Sequence, residues 1–175
     1  MLDIAAKFVS KNSTLPILQN IYLKASIDSL LIRATDMEKY VEIEIPCEVQ
    51  IEGAITINAK TFLDILKTIE SENIELSVDQ KTNIMTIKTP KDTFDINGIA
   101  ASEYVALPEV PQENSFVLDT LAFSKGIDHV EYAVTEKSFS PVLTGVLMKT
   151  GKWDASNKLI FVGTDSFRLS EYRVN

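Results

Sequence analysis

The sequence predicts an α+β protein built from one domain design used twice, and three observations lead there. An apolar run meets Thr-Asp and resumes as a strand at two places, Ser29–Val41 and Lys158–Val174. Upstream, Pro16-Ile-Leu-Gln-Asn-Ile-Tyr-Leu-Lys24 matches Pro141-Val-Leu-Thr-Gly-Val-Leu-Met-Lys149, with a longer loop around Gly151–Asn157 in the second copy. Between the copies lie strands of alternating character and an amphipathic helix. The spacing far exceeds the roughly 20 to 50 residues of a solenoid period, so the repeat is a duplicated domain. The expected domains are 1–110 and 111–175, the first without an opening strand and the second incomplete, because far less chain follows the second Thr-Asp than the first.

Each element follows from local pattern. Leu2 to about Ser10 reads as a short helix with Leu2, Ala5 and Val9 on one side and Lys7 and Lys11 on another. Pro16 breaks it. Ile17–Ala25, Leu30–Thr35 and Lys39–Pro46 read as strands, and Glu48–Ile51 with Gly53–Asn58 as a further alternating one. Ala59–Glu70 is the clearest helix, capped by Asn58, with Phe62, Ile65, Leu66 and Ile69 on one arc and Lys60 and Lys67 opposite. Asn73–Val78, Ile84–Lys88 and Phe94–Ile99 complete the first domain as strands. Ala106–Ser115, with two prolines and no periodicity, is the linker. Phe116–Leu118 reads as a short strand. Asp119 then caps a helix to about Val134, with Phe123, Ile127, Val130 and Val134 on its core arc, Lys125 and His129 across from it, and Gly126 weakening it.

Composition narrows the function. No apolar run reaches the roughly 18 residues of a membrane span, and the N-terminus has no signal-peptide pattern. Cys47 and His129 are each the only residue of their type, which leaves no disulfide, cysteine cluster, zinc site or His-based triad and fits a reducing cytoplasm. No phosphate-cradling loop occurs among six glycines. Asp36 and Asp165, related by the repeat, are better read as turn formers than as a catalytic carboxylate pair. A non-catalytic protein without cofactor or metal is therefore expected. The net charge of −8 argues against nucleic acid on average. Yet Lys7 with Lys11, Lys60 with Lys67, and Lys125 all stand opposite core arcs, the arrangement that sequence-independent phosphate contact requires. After the second Thr-Asp, Phe167 and Leu169 alternate with Ser166, Arg168 and Ser170: either a half-buried strand or an apolar groove for a partner's peptide.

Ser13-Thr-Leu-Pro-Ile-Leu-Gln-Asn20, Ala34-Thr-Asp36, Ala59-Lys-Thr-Phe-Leu-Asp64 and Gly163-Thr-Asp-Ser-Phe-Arg-Leu169 together resemble the bacterial sliding-clamp family, the beta subunits of DNA polymerase III. The resemblance implies a DNA-clamp fold with helices on the inner face and antiparallel sheets outside, in a head-to-tail homodimeric ring that slides on duplex DNA, tethers polymerase and catalyses nothing. It further implies that Lys60, Lys67 and Lys125 face the duplex and that Lys137 lies on a loop near it. The family often has Arg just before the Thr-Leu-Pro segment, where this chain has Asn12 beside Lys11. Leu143, Thr164, Ser166, Phe167, Arg168 and Leu169 match the domain-two half of a pocket for short linear peptides of polymerase and clamp-loader subunits. Ser166-Phe167 replaces the commoner Gly-His. Lys91 and Ile96 match the edge that meets the other subunit. The alternative is a peptide-binding scaffold of duplicated α+β domains without DNA contact.

Overall fold

The computed structural model of the chain describes residues 1–10, 13–106, 117–153 and 156–174, with backbone only for 152, 153 and 156–158. Lys11, Asn12 and the expected linker beyond Ala106 lie outside the described residues, as does Phe116. The chain divides into two compact units, Met1–Glu109 and Val110–Asn175.

In the first unit, helix α1 (Leu2–Ala5) is a single turn rather than the expected run to Ser10. Its continuation tightens through bonds from Lys7 N–H to the Ile4 carbonyl and Phe8 N–H to the Ala5 carbonyl, and Ser10 N–H then donates to the Leu18 carbonyl at 2.9 Å. A helix this short has too few internal bonds to offset its nucleation cost. Burial of Ala5 with Leu2, Phe8 and Val9 holds the segment instead.

Strands β1 (Asn20–Ser26), β2 (Ser29–Thr35), β3 (Tyr40–Pro46), β4 (Gly53–Asn58) and β8 (Ile99–Ala100) form a sheet in the order β3-β2-β1-β4-β8. β5 (Glu75–Asp79), β6 (Ile84–Lys88) and β7 (Thr93–Asn97) form a second, β5-β6-β7. Every pairing is antiparallel.

Three expectations change here. Pro16–Gln19 is a 3-10 turn, so β1 starts at Asn20, not Ile17. Glu48–Ile51 is not strand: Cys47 N–H bonds the Asp28 carbonyl, and Ile51 beyond it stands exposed. The predicted Phe94–Ile99 strand breaks at Gly98, whose N–H donates to the Asn83 carbonyl at 2.7 Å, and the chain leaves one sheet for the other.

Helix α2 (Ala59–Thr68) follows its periodicity, with Asn58 Oδ1 accepting from Thr61 N–H at 3.0 Å. Phe62 is buried, and Ile65, Leu66 and Ile69 pack with it against Ile21, Ile55 and Ile57 of one sheet and Met85, Ile87 and Ile96 of the other. Full burial of a side chain such as Phe62 stabilises by about 1.5–3 kcal/mol.

In the second unit, β9 (Leu147–Trp153), β10 (Ser156–Thr164) and β11 (Leu169–Val174) form an antiparallel sheet in the order β11-β10-β9. Val117 and Leu118 form no strand. Helix α3 (Thr120–Asp128) has Asp119 as its cap, accepting from Ala122 N–H at 3.0 Å, but ends six residues before Val134 and gives way to a 3-10 turn over Glu131–Ala133. The reason is a close approach: a Cβ on Gly163 of β10 would lie 2.2 Å from the Val130 carbonyl oxygen. Gly126 has a similar role, since a Cβ there would meet the Phe161 ring at 2.5 Å. The helix turn that Gly126 weakens by propensity is the one that seats Phe161 in the core beside Val130 and Leu159.

Candidate functional site

Both Thr-Asp sequences make one turn. Thr35 Oγ1 donates to the Lys39 carbonyl at 2.8 Å and accepts from Met37 N–H, while Asp36 Oδ1 accepts from the N–H groups of Glu38 and Lys39. In the second copy Thr164 Oγ1 donates to the Arg168 carbonyl at 2.7 Å and accepts from Ser166 N–H, while Asp165 Oδ1 accepts from Phe167 and Arg168. These backbone bonds and the neighbouring cation hold both carboxyls below the usual carboxylate range. Both carboxyls thus serve their own turns, Oδ1 through backbone N–H groups and Oδ2 through the neighbouring cation. Among the described residues no cluster of His, Cys, Asp and Glu could hold a metal ion, and no helix is long and apolar enough to cross a membrane.

On α2, Lys60 and Lys67 are exposed opposite the packed arc and flank one groove of about 530 Å³, walled on its other side by Val9 and Ser10 of the N-terminal segment. Asp64 lines the same groove between them, a residue missed in the sequence although the same 100° arithmetic puts it beside Lys60. Lys7 is exposed but outside that lining. In the second unit Lys125 is exposed on α3 and Lys137 on the turn bonded through Thr135. His129, exposed like Lys125, also packs against the sheet. Its ring lies 4.4 Å from that of Tyr172, its Nδ1 is 2.7 Å from the Lys125 carbonyl, and its own carbonyl accepts from Ser170 Oγ at 2.7 Å, which braces α3 against β11.

The expected peptide pocket is only partly assembled. Leu143 sits in a 3-10 turn, Pro141–Thr144, not on a strand, and is half-buried with its carbonyl accepting from Thr135 N–H. Phe167 is 97% exposed and Leu169 65% exposed. A groove of about 580 Å³ does lie at this end of the unit. Of the predicted six residues only Arg168 lines it, and Leu143, Thr164, Ser166, Phe167 and Leu169 do not. Arg168 Nε bonds Asp165 Oδ2 at 3.0 Å, and its guanidinium stands 5.9 Å from the centre of the Tyr132 ring. Tyr132, Val134, Glu131, Glu136 and Thr144 supply the remaining wall with Thr135 and Asp165. Sequence pattern offered no signal for Glu131, Tyr132 and Val134, which the expected helix to about Val134 spread around its axis, nor for Thr135, Glu136 and Thr144 beyond it.

Lys91 is exposed in the turn between β6 and β7, where Thr89 Oγ1 accepts from its N–H. Ile96 is only 5% exposed and packs in the core opposite Met85, so its side chain is not available to a partner surface. Among the described residues of this unit, β7 nevertheless pairs only with β6, which leaves its outer backbone edge open there.

Known proteins share this fold. The chain is 30% identical over 177 residues to the beta sliding clamp of Halalkalibacterium halodurans, covering 97% of this chain and 45% of the relative. The DNA polymerase sliding clamp of Bacillus subtilis superposes with a TM-score of 0.89 at 27% identity, over 99% of this chain and 47% of that one. The clamp of Caulobacter crescentus, at 24% identity and a TM-score of 0.91, shares the fold. The chain thus spans about half the length of the relatives it matches. Residues 1–108 match the family model described as the N-terminal domain of the DNA polymerase III beta subunit, and on that match the chain belongs to the DNA polymerase III beta subunit family.

Proposed function

We propose that this chain is part of a sliding clamp. In this reading a head-to-tail homodimeric ring encircles duplex DNA without reading its sequence, tethers the replicative polymerase for processive synthesis in the cytoplasm, and itself catalyses nothing. Residues 1–110 act as clamp domain one and 111–175 as the first part of domain two. The family match over residues 1–108 carries the proposal.

The local chemistry agrees with it. A ring that holds DNA by enclosing it needs only weak phosphate contacts. Lys60 and Lys67 with Asp64 between them give a surface of low net charge, suited to transient contact and a modest salt slope. Lys7, Lys11, Lys125 and Lys137 add cations, and Asn12 an uncharged donor. The pocket residues Leu143, Thr164, Ser166, Phe167, Arg168 and Leu169 belong to the partner-peptide site of polymerase and clamp-loader subunits. There the exposed Phe167 and Leu169 offer apolar surface and Arg168 a guanidinium whose stem can lie along it. Lys91 and the open edge of β7 belong to the self-association surface.

Charge reversal tests the reading. Lys60→Glu with Lys67→Glu in the full-length protein should shorten retention on nicked circular duplex and leave peptide binding intact. Unchanged retention would favour the peptide-binding scaffold without DNA contact.

A further inference from the structure

We infer that the groove beside Arg168 selects partner segments that carry a cationic side chain next to their apolar anchor. This rests on the reading of that stretch as a partner-peptide site and deepens it by assigning the charge of the partner.

The groove contains one cation, and that cation is occupied. Arg168 Nε is 3.0 Å from Asp165 Oδ2, and its guanidinium lies over the Tyr132 ring. Asp165 is in turn fixed by the N–H groups of Phe167 and Arg168, so this pair is internally neutral and rigid. Glu131 and Glu136 line the same groove, both exposed. Among the described residues, no hydrogen bond or ion pair engages either carboxylate. With Asp165 cancelled by Arg168, two negative charges are uncompensated around a concavity of about 580 Å³, a size that ordinary ligand sites share. Lys137 follows Glu136 in sequence but stands outside the lining.

The walls give the rest of the selectivity. Tyr132, 60% exposed, and Val134 supply apolar surface for a large side chain. Glu131 and Glu136 then meet whatever flanks it. An arginine or lysine there gains two charge-assisted contacts, whereas an acidic flank or a phosphate meets like charge. Each such pair is exposed to solvent, so the gain is modest and sensitive to salt.

Two labelled peptides of about eight residues, alike in their paired large apolar residues but with arginine or citrulline at the flanking position, isolate this charge. Titrated into the full-length protein, the arginine peptide should bind about threefold to tenfold tighter. The advantage should shrink as salt rises and disappear in Glu131→Gln/Glu136→Gln. Equal affinities in the unmodified protein, or an advantage that survives the double substitution, would overturn the inference. If the citrulline peptide binds and loses affinity on Arg168→Ala while charge makes no difference, the site reading stands and the inference alone fails. If neither peptide binds, both fail together.

Discussion

The turns at Thr35–Lys39 and Thr164–Arg168 share the bonds of their threonine and aspartate side chains, yet in the first Asp36 N–H also donates to the Lys39 carbonyl at 3.2 Å, and in the second Asp165 and Arg168 line a groove. Each has a threonine hydroxyl that closes the loop, an aspartate that caps it, a cation paired to that aspartate at 3.1 or 3.0 Å, and a non-glycine residue in the left-handed region, Met37 at φ 78° and Ser166 at φ 77°. Surroundings separate them. Thr35 is 3% exposed, and the sheet behind it is tied by Tyr104, whose hydroxyl donates to the Asn20 and Arg33 carbonyls. Burial there raises the phenol to about 12. Thr164 is only half-buried, and the exposed Arg168 that closes its turn stands 5.9 Å from the centre of the Tyr132 ring. The side-chain bonding of the turn is thus common to both copies, and what differs is how deeply its threonine is buried.

Substitution at the threonines should break the likeness most strongly. Thr35→Val removes both bonds of a hydroxyl on a residue 3% exposed, leaving Met37 N–H without its partner while the Lys39 carbonyl keeps Asp36 N–H, which costs roughly 1–3 kcal/mol. At Thr164 water replaces the lost bonds, and Thr164→Val should cost less than about 1 kcal/mol. Amide exchange read separately on the β2–β3 and β10–β11 hairpins distinguishes them. Equal losses would mean that burial does not separate the two turns.

Glycine at the left-handed positions tests their common strain. Ser166→Gly and Met37→Gly each relieve a backbone conformation that costs an L-residue roughly 1–2 kcal/mol, offset in part by about 0.5–1 kcal/mol of added unfolded-state freedom. A net gain of about 0.5 kcal/mol is expected at both, seen as slower exchange in the same hairpins. Loss of stability at Ser166 alone would show that its side chain contributes beyond the turn.

The smallest effect concerns pH. Both aspartates titrate below their ordinary 3.8 when folded, so the stability they contribute is complete above that value and is lost as pH falls through the lowered one. Asp36→Asn and Asp165→Asn should therefore be less stable than the parent at neutral pH, with the gap closing below about 3.8. A gap that stayed constant into acid would assign the loss to geometry rather than to charge.

Local bonds explain what was legible in the sequence. Thr-Asp writes its turn within four residues, Asn58 and Asp119 cap their helices within three, and the arc of α2 follows from its own periodicity. Such contacts involve neighbours in the chain, so the residues that make them can be read in order. Long-range packing decided the rest. Val130 against Gly163 stops α3, the bond from Gly98 to Asn83 splits a predicted strand between two sheets, and the core claims Ile96. The groove at Arg168 belongs with these, since Tyr132 and Glu136 meet it only after the chain has folded back through β10. Side chains far apart in sequence become partners when apolar burial brings their backbones together, and no local pattern of residue types encodes that approach.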